Sequence, residues 1–165
     1  IRDWLKSVAL LANPTDDFLE KMLLIYKVDY IQLHGDESPE RVEEIAKITK
    51  VPLIKAIGVE KNSDLLNIRY YEGFADYMLL DSKIKESGHL KGGRGISFNW
   101  NIIKGFNFNK PWFLAGGLNA NNVIDAMKVT GAKMLDVSTG VETNPGNKSF
   151  DKMRKFIGRV NGEYI

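Results

Sequence analysis

The sequence contains no cysteine among its 165 residues, and this absence excludes several kinds of chemistry. These residues cannot form disulfides, thiolate metal sites or thiol nucleophiles. Positive and negative charges nearly balance, since the 23 Lys and Arg and the 21 Asp and Glu leave a net charge of +2. The overall charge therefore gives no reason to predict binding to nucleic acid or to a membrane.

Long apolar runs are also missing. No stretch approaches the roughly 18 to 20 apolar residues of a membrane-spanning helix, and residues 1–11 (IRDWLKSVALL) are too short and too charged for a signal peptide. We therefore expect a cytoplasmic protein. With 44% hydrophobic residues, the chain is long enough for one substantial core and too short for two typical domains. A single domain over residues 1–165 is predicted.

Short apolar runs alternate with longer amphipathic stretches along the chain. Asn13 or Thr15 is a candidate cap for the first helix, Ser38 followed by Pro39 suits the start of the second, and Gly131 suits the end of a later one. The runs are VALLA, DYIQLHG, VPLIKAIGV, DYMLLDS, PWFLAGGL and AKMLDVSTGVE. The stretches between them predict helices, the third over KNSDLLNIRYYEGF and a short one over SFNWNIIKGF. This alternation is typical of a parallel sheet covered by helices.

Two α/β architectures fit the alternation, an open doubly wound sheet and a closed TIM (βα)₈ barrel. No strand is followed by a G-x-G-x-x-G fingerprint or a P-loop, the usual signatures of open nucleotide-binding sheets. The consecutive glycines come late, where barrels of this class often hold a phosphate. These observations favour the barrel, although periodicity alone fits both architectures.

Two late strand ends carry groups that suit an anion. Gly116 and Gly117 in FLAGGLNANNV let the backbone approach a ligand, with a helix start just beyond. Ser138, Thr139 and Gly140 follow the next strand and offer hydroxyl and backbone donors. The alternative for Gly116 and Gly117 is a tight strand-to-helix turn, but two such strand ends in succession predict a phosphate site.

Three further polar residues follow apolar strands. Asp81 follows the apolar residues of MLLDS at the end of a strand. A partly desolvated carboxyl group there would have a raised pKa and could act as a general acid. The alternative is that Asp81 caps the following loop. Asp136 lies two residues before Ser138 and shares its side of the strand. His34 shares a side with Gln32, and its alternative is a structural role. All three residues would face one opening.

The segment after MLLDS is basic and rich in glycine. Lys83, Lys85, Lys91 and Arg94 are interleaved with Ser, Gly and His but with no aromatic residue. Because base stacking needs aromatic rings among the charges, nucleic acid is a poor fit. His89 is too distant in sequence from the other histidine for metal-site spacing, so no metal is predicted.

These motifs together resemble the phosphoribosylanthranilate isomerase family, the (βα)₈-barrel enzymes of tryptophan biosynthesis. The matching segments are VDYIQLHGDE, PLIKAIGV, LLDS…GGRGISFNW, LAGGLNANNV and DVSTGVETNPGNKS, in the family's order and spacing from about residue 8 to 158. The resemblance implies an Amadori rearrangement of N-(5-phosphoribosyl)anthranilate, a small phosphorylated substrate, to 1-(2-carboxyphenylamino)-1-deoxyribulose 5-phosphate. It implies no cofactor.

The resemblance also implies roles for particular residues. Asp81 would be the general acid that opens the ribose ring, and His34 and Asp136 would line the pocket beside the substrate. The phosphate would be held by the two late strand ends, at Gly116, Gly117, Ser138, Thr139 and Gly140.

The family's first two βα units have no counterpart in residues 1–165. They carry a strand like K-I-C-G, whose Cys is the general base, and an Arg for the anthranilate carboxylate. The chain begins with Ile1, and its six strands would be the family's third to eighth, an incomplete barrel with two open sheet edges. We therefore expect impaired activity, and completion by self-association or by a complementing N-terminal segment. 

Two other functions are compatible with the same residues. A non-catalytic partial barrel could keep the phosphate site and bind a phosphorylated ligand. Another phosphate-binding barrel enzyme is the remaining alternative; indole-glycerol-phosphate synthase is the nearest, but the Lys and Glu pattern of that family is not evident at these strand ends.

Overall fold

The computed structural model describes residues 5–83 and 97–162. Its helices are α1 Asp16–Ile25, α2 Pro39–Thr49, α3 Ile68–Tyr71, α4 Val123–Thr130 and α5 Phe150–Asn161. Its strands are β1 Val8–Leu11, β2 Tyr30–Leu33, β3 Leu53–Val59, β4 Tyr77–Ser82, β5 Trp112–Leu114, β6 Met134–Leu135, β7 Glu142–Asn144 and β8 Asn147–Lys148. Short 3₁₀ helices cover Asn62–Asn67, Trp100–Ile102 and Thr139–Val141.

Strands β1 to β6 form one six-stranded sheet whose spatial order is the order of the chain. β1 pairs with β2 in parallel, with Val8 opposite Tyr30, and β2 pairs with β3 in parallel, with Ile31 opposite Leu53. β5 and β6 are also parallel. The predicted α/β class with a parallel sheet is therefore confirmed, and the carboxyl ends of neighbouring strands lie at one edge.

Local sequence explains where several helices begin and end. The side chains of Thr15 and Ser38 accept hydrogen bonds from the backbone N–H three residues later, and Pro39 is the first residue of α2. Gly131 ends α4 with a left-handed φ of 72°. Of the two caps proposed for α1, Thr15 is correct, whereas Asn13 has a left-handed φ of 49° and precedes the cap.

The third predicted helix is shorter than its periodicity suggests. A 3₁₀ turn, Asn62–Asn67, precedes the single α turn of α3. Asp64 explains the difference, because its carboxylate accepts hydrogen bonds from the backbone N–H groups of Glu60 and Lys61, both at 2.9 Å. Such local side-chain bonds compete with regular helix formation.

The sixth predicted strand and the helix predicted over SFNWNIIKGF are also shorter than expected. Only Met134–Leu135 pairs as β6, after which come the 3₁₀ turn Thr139–Val141 and the antiparallel pair β7–β8. Within SFNWNIIKGF, only Trp100–Ile102 is helical, as a 3₁₀ turn.

The chain contains two compact units. The first comprises Ile1–Ile57, Leu66–Leu79 and Phe108–Pro111, and the second comprises Gly58–Leu65, Leu80–Asn107 and Trp112–Ile165. Fully buried core residues of the first unit are Leu19, Ile31, Leu33, Val42, Ile45, Leu53 and Ile68, and those of the second are Val59, Leu80, Leu114, Val123 and Ala126. One domain over the whole chain stays a prediction.

Within the described residues, every helix is too short or too polar to cross a lipid bilayer.

Candidate active site

Asp81 lies at the carboxyl end of β4, in the second unit, and is partly buried. Its Oδ1 accepts a hydrogen bond from the backbone N–H of Ser82 at 2.7 Å and a longer one from the Ser82 hydroxyl at 3.4 Å. These bonds fix the orientation of the carboxyl group relative to the strand. The carboxyl group is thus held at the strand end, as a general acid in this position requires.

The first glycine of the AGGL segment lies directly against this carboxyl group. A Cβ at Gly116 would lie 2.7 Å from the Ser82 nitrogen and 3.0 Å from Asp81 Oδ1, and the φ of Gly116 is +82°. The neighbouring Ala115 donates its N–H to the carbonyl of Leu80 at 2.8 Å. Glycine is therefore required here for space and for backbone conformation.

The two glycine-containing strand ends meet within the second unit. Gly140 packs so closely on the carbonyl of Leu118 that a Cβ would overlap it. The carbonyl of Gly117 accepts a hydrogen bond from Asn122 Nδ2 at 2.9 Å, and the Asn122 side chain also accepts the N–H of Asn119 at 2.8 Å. The asparagines were not among the predicted residues, although the run NANN at a helix start was a signal.

Asp136 and Thr139 are half-buried residues that follow β6. The backbone N–H of Asp136 donates to the carbonyl of Leu114 at 2.8 Å, which holds the segment after β6 beside the end of β5. Thr139 begins the 3₁₀ turn. The strand end that was predicted to share the phosphate site is thus anchored next to the AGGL segment.

Ser138 is exposed and engaged by a salt bridge that sequence reasoning missed. Lys148 Nζ donates to Ser138 Oγ at 2.9 Å and to Glu142 Oε1 at 2.6 Å. The hydrogen bond from Lys148 holds the pKa of the Glu142 carboxyl below its usual value. A cation therefore stands beside one of the predicted phosphate-binding hydroxyls.

His34 follows β2 in the first unit. Its backbone N–H donates to the carbonyl of Leu11 at 2.8 Å, and its Nδ1 lies 3.0 Å from Nε2 of Gln32. The expectation that Gln32 and His34 share one side of the strand is correct. Gly35 follows in a crowded position, where a Cβ would lie 2.6 Å from the side-chain oxygen of Asn13.

A buried ion pair supports this strand end. Lys55 Nζ lies 2.8 Å from Glu37 Oε2, and the two side chains are only 2% and 1% exposed. Lys55 also donates to the carbonyl of Gly35 at 2.8 Å, while Glu37 Oε1 accepts the N–H of Asn13 at 2.7 Å. Burial raises the pKa of Glu37, but the hydrogen bonds from Lys55 and Asn13 outweigh it and lower the pKa overall. The lone lysine inside VPLIKAIGV was its sequence signal.

The basic segment after β4 is described only at its start. Lys83 Nζ lies 3.6 Å from Asp64 Oδ1, while Lys85, His89, Lys91 and Arg94 lie outside the described residues. Across residues 5–83 and 97–162, no three His, Cys, Asp or Glu side chains gather as a metal site would need.

The sequence is similar to a known protein family and to named members of it. The family model described as N-(5'-phosphoribosyl)anthranilate (PRA) isomerase matches residues 3–159. The N-(5'-phosphoribosyl)anthranilate isomerase of Paracoccus denitrificans is 43% identical over 153 residues, which cover 93% of this chain and 71% of the relative. The enzyme of Rhizobium etli is 41% identical, with 94% of this chain and 70% of the relative covered.

Solved structures of the same family have the same fold. The phosphoribosyl anthranilate isomerase of Thermotoga maritima matches with a TM-score of 0.83 and 31% identity, over 98% of this chain and 76% of the relative. A phosphoribosyl anthranilate isomerase in complex with reduced 1-(o-carboxyphenylamino)-1-deoxyribulose 5-phosphate matches with a TM-score of 0.79 and 28% identity, over 98% of this chain and 74% of the relative. On the family match and the relatives above 40% identity, this chain belongs to the phosphoribosylanthranilate isomerase family.

Proposed function

We propose that the protein catalyses the Amadori rearrangement of N-(5-phosphoribosyl)anthranilate to 1-(2-carboxyphenylamino)-1-deoxyribulose 5-phosphate in tryptophan biosynthesis. The observation that carries the proposal is the packing of Gly116 against the Asp81 carboxyl group together with the packing of Gly140 against Leu118. One carboxyl group and two glycine-containing strand ends are thereby gathered in a single unit. The names of relatives above 40% identity support the same reaction.

In this reaction Asp81 is the general acid. It protonates the ring oxygen of the ribose, which opens the ring to a Schiff base, and the hydrogen bond from the Ser82 N–H holds the carboxyl group in place. A general base then removes the C2 proton, and each such proton transfer contributes about 10² to 10⁴-fold in rate.

The phosphate binds at the two glycine-containing strand ends. Gly116 and Gly117 bring backbone N–H groups close to the anion, and Gly140 with Thr139 completes the cradle from the next strand. Ser138 is the hydroxyl donor. Its oxygen accepts from Lys148 at 2.9 Å, and its hydroxyl hydrogen donates to Glu142 Oε1 over a long 3.4 Å, a bond that it exchanges for one to the anion by rotation.

Asp136 and His34 contact the remainder of the substrate. Both follow strands at their carboxyl ends, where substrate-binding groups of α/β barrels are found. His34 supplies a polar ring atom, and Asp136 supplies an acceptor for a sugar hydroxyl.

The resemblance places the general base and the anthranilate-binding Arg in the family's first two βα units. The resemblance assigns the base to a cysteine, and residues 1–165 contain none. We therefore propose that the six strands β1 to β6 correspond to the family's third to eighth, and that a complementing N-terminal segment or a second copy of the chain completes the barrel. One solved structure is of monomers generated from the dimeric phosphoribosylanthranilate isomerase of Thermotoga maritima.

The acid role is tested with Asp81→Asn in the full-length protein. We expect kcat to fall at least about 10²-fold while KM changes little, because the acid acts on the transition state. Asp125→Asn, an exposed position on α4, is the matched control and should retain the wild-type rate. If Asp81→Asn keeps its kcat, the acid lies elsewhere.

The completion of the barrel is tested by comparing residues 1–165 with the full-length protein. We expect residues 1–165 alone to bind the reduced product analogue, reduced 1-(o-carboxyphenylamino)-1-deoxyribulose 5-phosphate, weakly and to convert little substrate. The full-length protein should convert the substrate readily. Robust turnover by residues 1–165 alone would refute the assignment of the base to another segment. Ligand binding without turnover by the full-length protein would instead identify a non-catalytic phosphate-ligand-binding barrel.

A further inference from the structure

We infer that Gln32 is a positioning residue that fixes the tautomer of His34, so that His34 Nε2 carries the proton and acts as a hydrogen-bond donor. Gln32 is only 7% exposed and lies two residues before His34 on β2, on the same side of the strand. Its Nε2 lies 3.0 Å from His34 Nδ1. The proposed function uses His34 as a substrate-contacting residue.

The direction of the Gln32 to His34 hydrogen bond follows from the chemistry of the two nitrogens. An amide nitrogen only donates, whereas each ring nitrogen of a neutral histidine either donates or accepts according to the tautomer. Nδ1 of His34 must therefore accept, and the single ring proton resides on Nε2. With the Gln32 amide oriented as in the structure, the opposite tautomer would direct the Nδ1 hydrogen at an amide N–H, and neither group can accept it.

The backbone around His34 is held firmly enough to keep this contact. Lys55 Nζ donates to the carbonyl oxygens on either side of His34, to Leu33 at 3.4 Å and to Gly35 at 2.8 Å. The His34 N–H is bound to the carbonyl of Leu11 at 2.8 Å. With the backbone fixed on both sides, one side-chain hydrogen bond is sufficient to set the orientation of the ring.

A neutral Nε2–H selects its ligand by hydrogen-bond polarity. It donates to an oxygen with a free lone pair, such as a carboxylate or a sugar hydroxyl oxygen, and it cannot accept from a ligand N–H or O–H. Under the proposed function, on which this step rests, the partner of His34 Nε2–H is an acceptor oxygen of the phosphorylated substrate. Gln32 thus acts through His34 without touching the substrate itself.

The tautomer is measured directly by ¹⁵N NMR of the imidazole rings in the full-length protein, at a pH where both histidines are neutral. The chain has two histidines, so a His89→Gln variant assigns the His34 signals within this chain. We expect Nε2 to be protonated and Nδ1 to be unprotonated. A protonated Nδ1 in the wild-type protein would overturn the inference.

Two variants of nearly the same shape separate tautomer control from simple packing. Gln32→Glu replaces the amide donor by an acceptor, so we expect the ring proton to move to Nδ1. Gln32→Met keeps the volume without either group, and we expect a mixture of tautomers. A wild-type tautomer in Gln32→Glu with a wild-type unfolding midpoint would refute the role of Gln32. If Gln32→Glu does not fold, an unchanged tautomer in Gln32→Met would refute it equally.

Binding of the reduced product analogue tests the functional consequence. We expect Gln32→Glu to weaken its affinity by about tenfold, the loss of about one hydrogen bond, and to raise KM more than it lowers kcat. Unchanged affinity in a variant whose tautomer has switched would refute the donor role of His34. Absence of turnover in the wild-type protein would refute the proposed isomerase function and leave the NMR result standing.

Discussion

Replacing Lys55 by Met should destabilise the protein severely, because it leaves the Glu37 carboxylate buried without its cation. The two side chains are 2% and 1% exposed, so water cannot take the place of the ammonium group. Removal of one partner of a buried pair costs about 3 to 5 kcal/mol. Since domains of this size are stable by about 5 to 15 kcal/mol, the variant should lose a large fraction of its stability.

Part of the hydrogen bonding of Glu37 survives in Lys55→Met. Its Oε1 keeps the backbone N–H groups of Asn13 at 2.7 Å and of Gly35 at 3.2 Å. The carbonyl oxygens of Leu33 and Gly35, however, lose the donor that Lys55 supplies. Because the ammonium hydrogen bonds are lost and the Glu37 charge is left uncompensated, we still expect the free energy of unfolding to fall by about 3 to 5 kcal/mol.

The assay is urea unfolding followed by tryptophan fluorescence, with the double variant Lys55→Met with Glu37→Gln as the matched comparison. The double variant has no buried charge, and its amide oxygen can still accept from the backbone, so we expect it to recover most of the lost stability. A loss below about 1 kcal/mol in the single variant, or no recovery in the double variant, would refute the reasoning.

The pH dependence gives an independent check on the same ion pair. The pKa of Glu37 in the folded protein lies below its ordinary 4.5. The stabilising contribution of Glu37 is therefore fully present above pH 4.5 and is lost as the pH falls below 4.5 and through the lower pKa of the folded protein. In Lys55→Met the effect of burial, which raises the pKa of Glu37, is opposed by the surviving backbone hydrogen bonds but no longer by the Lys55 ammonium group, so the pKa is higher than in the wild-type protein. The stability difference between wild type and variant should therefore shrink as the pH is lowered.

Three further substitutions test the backbone and the surface. Gly116→Ala should lose ligand binding and stability because its Cβ would lie 2.7 Å from the Ser82 nitrogen. The control Gly105→Ala has a similar φ of +79° but open space around the new Cβ, so it should cost only the backbone strain. Equal unfolding midpoints for the two variants would contradict the steric argument. Gly140→Ala should weaken binding of inorganic phosphate in calorimetry, and unchanged affinity would exclude it from the cradle. Hydrogen bonds from the backbone N–H of Ser7, from the Ser7 hydroxyl and from Lys6 together lower the pKa of Asp29 from 3.8 to about 2. Asp29→Asn should therefore destabilise the protein near neutral pH, with a penalty in unfolding free energy that vanishes as the pH falls from the first value to the second; a penalty independent of pH would refute the pairing.

Local patterns in the sequence predicted the elements that depend on neighbouring residues. The cap at Thr15, the Ser38 and Pro39 start of α2, and the Gly131 end of α4 are formed within one helical turn, so the residues themselves carry the information. The third helix is shorter than predicted because the Asp64 carboxylate binds nearby backbone N–H groups instead of leaving them to a helix.

The candidate site divides in the same way. The sequence alone determined which strand ends carry reactive or anion-binding groups, since Asp81 and Gly140 follow recognisable apolar runs. Only the tertiary structure decided that Gly116 lies against Asp81 and that Lys55 pairs with Glu37. These contacts join residues about 20 to 35 positions apart, and parallel strands become neighbours only after the intervening helix has packed on the sheet. The sequence therefore names the groups, and the strand order determines which of them meet.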